Sequence, residues 1–277
     1  MEFGLPVGEV VVLAGGLFAG GLATGFLVGL LGVGGGGIMV PVLYEAFAAV
    51  GVDPAIRMHM AVGTALAVMI PTSLRSFVAH RSRGGVDMGL IKRLMLPVFA
   101  GVIIGSVIAK VSPSVVLKWI WVVFGAMISL KMLFGRETWR LGDDVPKSKL
   151  LELYGVAVGT VSTLMSIGGG AYITTMLTLY GRAMQQAVGT SAGFGPLIAL
   201  PGVVGFVWAG WGHQSLPAGS LGYVSLLGAV TMIAGSVLSA PLGARVAHGV
   251  SRRTLEVSMG VFVGIVVLRF LYSIYFQ

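Results

Sequence analysis

The chain has 277 residues, of which 56% are hydrophobic and only 10% charged, and its mean hydropathy is +0.96. That composition leaves too little polar surface for a water-soluble globule, and several apolar runs reach the roughly 20 residues that a bilayer-spanning helix needs. The net charge of +8 comes from Lys and Arg gathered in short connections, which argues against a nucleic-acid surface, and the lack of cysteine excludes disulfide, thiolate and iron–sulfur chemistry.

The first nine residues carry two glutamates and no Lys or Arg, so the charged start of a signal peptide is missing and the first apolar segment is expected to stay in the protein. That segment, 10–33, presents Gly16, Gly20, Gly21, Gly25 and Gly29, a small-residue face that lets another helix approach closely. It runs into Gly32-Val33-Gly34-Gly35-Gly36-Gly37, after which 38–50 is apolar for too few residues to cross a bilayer and reads as a short or re-entrant helix. A turn at 51–54 leads to a long segment, 58–80, with Ala61-Val62-Gly63-Thr64, Pro71 and Arg75. A basic connection, a span over 94–109, a turn at Ser112-Pro113 and a span over 115–134 complete the first half.

After the polar stretch 135–149 the same order of parts returns. An apolar segment, 150–167, ends in Ser166-Ile167-Gly168-Gly169-Gly170, followed by the short segment 172–180. A long segment, 184–208, opens with Ala187-Val188-Gly189-Thr190, and spans are expected over 221–242 and 255–275. One register shift pairs Val33 with Ile167, Gly25 with Gly159 and Leu43 with Leu177, which marks an internal duplication. The expected organisation is a first transmembrane repeat over 1–134, a polar cytoplasmic linker over 135–149 and a second transmembrane repeat over 150–277. Basic residues concentrate in 80–93, 135–149 and 243–253, which places those connections on the cytoplasmic side, while Lys110 and Lys118 fall on the other side against the rule. The expected fold is therefore an all-α polytopic membrane protein of eight to ten hydrophobic segments, with two inverted-topology repeats and glycine-broken short or re-entrant helices.

Glycine runs inside apolar segments free backbone N–H groups at the start of the helix that follows, where peptide dipoles place about half a positive charge. Two such ends aimed at mid-membrane would form an anion site from Gly34, Gly35, Gly36, Gly37, Gly168, Gly169 and Gly170, with Thr64, Thr190 and Ser191 as hydroxyl donors. The bland alternative is close helix packing through glycine. Arg75 is the deepest candidate charge, although snorkelling to the interface accounts for it equally well, and His59 is a candidate proton carrier. The pattern G-x-G-x-x-G at 32–37 lacks the preceding strand that a dinucleotide fingerprint requires, and no catalytic, metal-binding or cofactor motif is present. The reading is thus a non-enzyme without cofactor or metal, whose partners are a small anionic substrate and the lipid bilayer. Proton coupling and a homodimer are compatible with it.

Gly-Val-Gly-Gly-Gly-Gly-Ile-Met-Val-Pro at 32–41, Ala-Val-Gly-Thr at 61 and 187 and Ser-Ile-Gly-Gly-Gly at 166 resemble the TauE/SafE family of membrane transporters over essentially the whole chain. The second copy departs from the first, with Thr174-Thr175 in place of Val40-Pro41. The resemblance implies export of sulfite, a sulfonate such as sulfoacetate or another small organic anion across a prokaryotic plasma membrane. Such export would be driven by the proton gradient or membrane potential. An anion channel and a non-transport membrane assembly component are the alternatives.

Overall fold

The computed structural model describes residues 7–31, 36–82, 84–135, 140–142, 144–146, 148–247 and 251–276. The helices are α1 (Val7–Leu31), α2 (Gly36–Ala49), α3 (Pro54–Ser82), α4 (Met88–Val111), α5 (Ser114–Phe134), α6 (Lys149–Met165), α7 (Gly170–Leu179), α8 (Met184–Ala192), α9 (Phe194–Gly210), α10 (Leu226–Ala247) and α11 (Arg252–Phe276). Among the described residues six stretches are long and apolar enough to cross a membrane: α3, α4, α5, α8 with α9 as one unit, and most of α10 and α11. Their outer faces carry bare apolar side chains such as Leu96, Ile103, Met127, Val204, Val230, Leu238 and Leu268. In water such a surface would be covered by association; in hydrocarbon it is the natural contact with lipid. The protein is a multi-pass membrane protein.

Local sequence explains the breaks. Pro196 would thrust its ring at the carbonyl of Ala192, so α8 stops there and the chain restarts as α9 after Gly193. Ser166 closes α6 in the left-handed region, with φ +56°, and Gly168 and Gly169 follow at +71° and +72°. Three left-handed residues cannot continue a helix, so α7 begins afresh at Gly170. One expected boundary is corrected: the hydropathy pattern predicts a helix from 221, but Ser220–Leu221 and Val224–Ser225 pair as a two-residue antiparallel hairpin and α10 begins only at Leu226. Gly222, at φ +54° against the Val207 backbone, sets that turn.

The halves exchange partners. The small-residue face of α1 packs on α10 and the equivalent face of α6 packs on α4, while α5 lies against α11 and α3 against α9. A side chain at Gly25 would strike Ser236 and Ser239 of α10, and one at Gly159 would strike Val98 and Gly101 of α4. The glycine face of α1 is therefore a packing face at Gly20, Gly21 and Gly25, whereas Gly16, expected on the same face, is exposed and meets nothing within 4 Å.

The basic connections collect at one end of the bundle. There Arg93 donates to the Ser148 carbonyl at 3.5 Å, Arg182 pairs with Asp144 at 2.9 Å, and Arg253 donates to the Met132 carbonyl at 3.0 Å. At the opposite end Arg269 pairs with Glu45 at 3.0 Å, and the His59 ring reaches the Ser112 carbonyl at 3.1 Å. The hairpin α1–α2 closes toward this second end, where α3 starts, and α6–α7 closes toward the first, where the Leu141 N–H meets the Leu179 carbonyl at 2.8 Å.

Replacement of Gly159 by Leu is expected to remove the folded species, because overpacking of even a yielding core costs about 1–3 kcal/mol and here the obstacle is backbone. Gly16→Leu is expected to behave as wild type, since the first atom of a side chain at that position would meet nothing within 4 Å. Fluorescence-detected size exclusion of detergent extracts reads the difference.

Candidate functional site

The structure brings the two glycine regions to one place. Gly37 from the start of α2 and Ile167 and Ala171 from the second break line a single cavity, closed by Trp121, Ile128 and Met132 of α5 and Met259 and Val263 of α11. It holds about 10 Å³, enough for roughly one water, and its walls are almost wholly apolar. Three buried polar groups of these elements have no hydrogen-bond partner among the described residues: the indole N–H of Trp121, which lines the cavity, and the hydroxyls of Ser162 and Ser166, which precede the wall residue Ile167 in the chain. The main chain ties two of them to the cavity wall, since Ile167 donates its N–H to the Ser162 carbonyl at 3.1 Å and follows Ser166 directly. A buried donor left unpaired costs about 1–3 kcal/mol, which singles out these three groups.

Of the expected site residues, Gly34 and Gly35 lie outside the described residues, Gly36 opens α2, and Gly37 lines the cavity. Gly168 and Gly169 form the second break and pack on Met69 of α3 and on Phe194 and Ile198 of α9, and Gly170 starts α7. No side chain caps that N-terminus.

Thr64 and Thr190 serve as two matched clamps. The Thr64 Oγ1 on α3 accepts the Ser225 N–H at 3.0 Å, and the Thr190 Oγ1 on α8 accepts the Asp87 N–H at 2.9 Å. Each clamped residue in turn caps the helix that follows: Ser225 accepts from the Gly228 N–H at 3.1 Å and Asp87 from the Leu90 N–H at 3.0 Å. The preceding glycine of each Ala-Val-Gly-Thr makes room, because a side chain at Gly63 would meet the Tyr223 carbonyl and one at Gly189 the Gly85 carbonyl. The tetrapeptide thus stitches α3 to the start of α10 and α8 to the start of α4.

Ser191 donates to the Val188 carbonyl at 2.9 Å and accepts from Thr174 at 2.9 Å, so its proton is spent within the fold. The Thr174–Ser191 link joins α7 to α8; the corresponding positions of the first half are the apolar Val40 and Ala65. Arg75 has an exposed side chain on α3. His59 is buried under the second end, its ring 4.8 Å from that of Tyr223, with Nδ1 unpartnered. Burial pushes the Tyr223 phenol above its ordinary value, which keeps it neutral.

The sequence reading missed Ser162, Ser166 and Trp121. The two serines sit one helical turn apart just before the glycine run, a spacing that could have been noticed. Trp121 gave no signal, because only the fold sets α5 across both breaks.

The sequence signature described as Sulfite exporter TauE/SafE matches residues 17–270. The chain belongs to the TauE/SafE sulfite exporter family. A protein of Haemophilus influenzae named "Probable membrane transporter protein" is 31% identical over 261 residues, covering 91% of this chain and 95% of the relative. Proteins of the same designation from Methanocaldococcus jannaschii and Bacillus subtilis are each 26% identical over 254 residues, covering 91% and 92% of those relatives. No solved structure matches. This TauE/SafE member is accordingly a membrane transporter.

Thr190→Val is expected to lower stability by about 1–3 kcal/mol, the cost of stranding a buried N–H, and Thr190→Ser to restore most of it. Thr64→Val and Thr64→Ser are expected to behave alike. Denaturant or thermal unfolding of the purified protein in detergent measures both pairs.

Proposed function

We propose that this TauE/SafE member is a secondary transporter that exports a small sulfur-containing or organic anion, with sulfite and sulfonates such as sulfoacetate as the leading class. It would act in a prokaryotic plasma membrane and draw on the proton gradient or membrane potential. The observation that carries the reading is the shared cavity: Gly37 from the first half and Ile167 and Ala171, which flank the second glycine break, wall one space together with Trp121, whose indole N–H lacks an acceptor. The Trp121 indole and the backbone N–H groups at the starts of α2 and α7 donate only, and the Ser162 and Ser166 hydroxyls can donate, a set that suits an oxyanion where no carboxylate among the described residues lines the cavity. Two helix N-termini add partial positive charge where the hydrocarbon makes it count most.

The two halves are read as inverted repeats. Exchanged packing of α1 on α10 and α6 on α4, matched clamps at Thr64 and Thr190, and hairpins that close toward opposite ends are what a twofold axis in the membrane plane would produce. The basic end is placed in the cytoplasm by its Lys and Arg content. In this arrangement the α1–α2 and α6–α7 hairpins approach the cavity from opposite sides, and alternating access consists of loosening one hairpin while the other stays packed. The polar Thr174–Ser191 link, against Val40 and Ala65 at the corresponding positions, makes the two gates unequal.

Gly37→Leu supplies the test. A side chain there meets only the Met259 methyl, at 3.5 Å, so the variant is expected to fold and insert while its added bulk fills the cavity. Wild-type protein in proteoliposomes is expected to move sulfite or sulfoacetate saturably, and Gly37→Leu to lose at least about 90% of that flux, in line with a cavity that holds about one water. Equal transport by both proteins would refute the site, and flux that never saturates would make the protein a channel.

A further inference from the structure

We infer that the end of the bundle opposite the basic connections contains a second anion-binding site, a vestibule built around Lys118. The observation is a charge out of place. Lys118 and Arg57 are 7% and 9% exposed, and no carboxylate pairs with either among the described residues. The Lys118 ammonium donates to the Ser273 hydroxyl at 2.9 Å, and that hydroxyl also meets the Tyr44 hydroxyl at 2.8 Å. Arg57 spends two of its N–H groups on the Val52 carbonyl. Both cations lie over the Tyr44 ring, at 5.2 and 5.6 Å from its centroid.

Beside Lys118 is an open cleft of about 270 Å³, walled by Pro54 at the start of α3, Pro113 and Ser114 at the start of α5, and Ser273 of α11. That volume admits a sulfonate or phosphate group with part of its hydration. Ser114 at this wall is only 5% exposed, its hydroxyl has no partner, and α5 has no side-chain cap. An ammonium, an unpaired hydroxyl and an uncapped helix N-terminus therefore converge on one space. The acids nearby are already committed: Asp53 accepts the Ala55 N–H at 2.9 Å and Glu45 pairs with Arg269. The shared ligand chemistry is a tetrahedral or pyramidal oxyanion, free in solution or carried on a lipid headgroup.

The vestibule leads toward the transport cavity. Ser114, Lys118, Trp121, Gly125, Ile128 and Met132 recur at three- and four-residue spacing and so share one face of α5. The upper members line the cleft and the lower ones the cavity. Between them Phe270 meets Tyr44 at 5.3 Å and Trp121 at 5.6 Å, both edge to face, and this aromatic plug closes the route in this conformation. As a staging post for an exported anion the vestibule rests on the transport reading; as a binding site it stands without it.

The test is anion-dependent thermal stabilisation of full-length protein in detergent, with sulfite, sulfate and phosphate against chloride, and with phosphatidylglycerol against phosphatidylcholine vesicles. Lys118→Met and Ser114→Ala are compared with wild type. Expected are apparent affinities about tenfold weaker in Lys118→Met and partial weakening in Ser114→Ala, since one charge-assisted hydrogen bond is worth about that factor. A response to free anions assigns the site to solute, and a response only to phosphatidylglycerol assigns it to a lipid headgroup. Should Lys118→Met fail to fold, Lys118→Arg, which keeps the charge, is expected to retain binding while Ser114→Ala still weakens it. An anion response unaltered by Lys118→Met and Ser114→Ala, or no response to any probe, overturns the vestibule. Binding that depends on Lys118 in a protein that transports none of these anions would overturn the transport reading and leave the vestibule standing.

Discussion

Every buried N–H and C=O in this protein has to find a partner inside the protein, because hydrocarbon supplies none. Most of the architecture follows from meeting that demand, and the candidate site from the places where it goes unmet. Serine and threonine hydroxyls return to the carbonyl three or four residues earlier along α3, α4, α7 and α10, as at Thr72, Ser106, Thr178 and Thr231. Where the chain must leave a helix between α9 and α10, the Tyr223 N–H goes to the Phe206 carbonyl and the Ser225 N–H to Thr64. The buried side-chain groups that stay unpartnered include the Ser162 and Ser166 hydroxyls and the Trp121 indole N–H in one region, and the Ser114 hydroxyl and His59 Nδ1 toward the end opposite the basic connections.

Close approach is the second constraint, and it is what joins the halves. Lipid tails are as apolar as leucine, so helices in a membrane gain little by hiding apolar surface from one another and depend on dense contact. The glycine faces of α1 and α6 find that contact on α10 and α4, in each case a helix of the other half. The same exchange appears in the threonine clamps. Neither half supplies the partner for its own first helix, so the fold is completed only when both are present.

Charge is divided unevenly between the two ends. At one end arginines meet helix-end carbonyls and acids in exposed connections, the ordinary behaviour of charges at a membrane surface. At the other, Lys110 lies over the Trp208 ring at 3.7 Å and Lys118, largely buried between α5 and α11, forms part of the wall of an open cleft. Family membership gives the chemistry a direction, since TauE/SafE proteins are named for sulfite export and the relatives from three prokaryotes are named membrane transporters. The donors at the cavity and in the vestibule are consistent with an anion as cargo.

The sequence by itself determined the class of the protein, the order of its elements and the positions of its glycine breaks. Hydropathy, proline and glycine act through the local backbone and need no neighbour to be read: the short helices after each glycine run follow from steric rules within a few residues, whereas 184–208 reads as one long segment and its division at Gly193 is seen only in the fold. Only the tertiary structure decided what the marked residues do. Ala-Val-Gly-Thr read as half of a binding shell became a clamp, because the chain that Thr64 holds lies 161 residues away. Lys118, a violation of the charge rule in one dimension, became the centre of a buried cluster because α2 and α11 bring Tyr44 and Ser273 to it. Contacts of that separation depend on which helices exchange partners, and helix pairing is set by packing across the whole bundle.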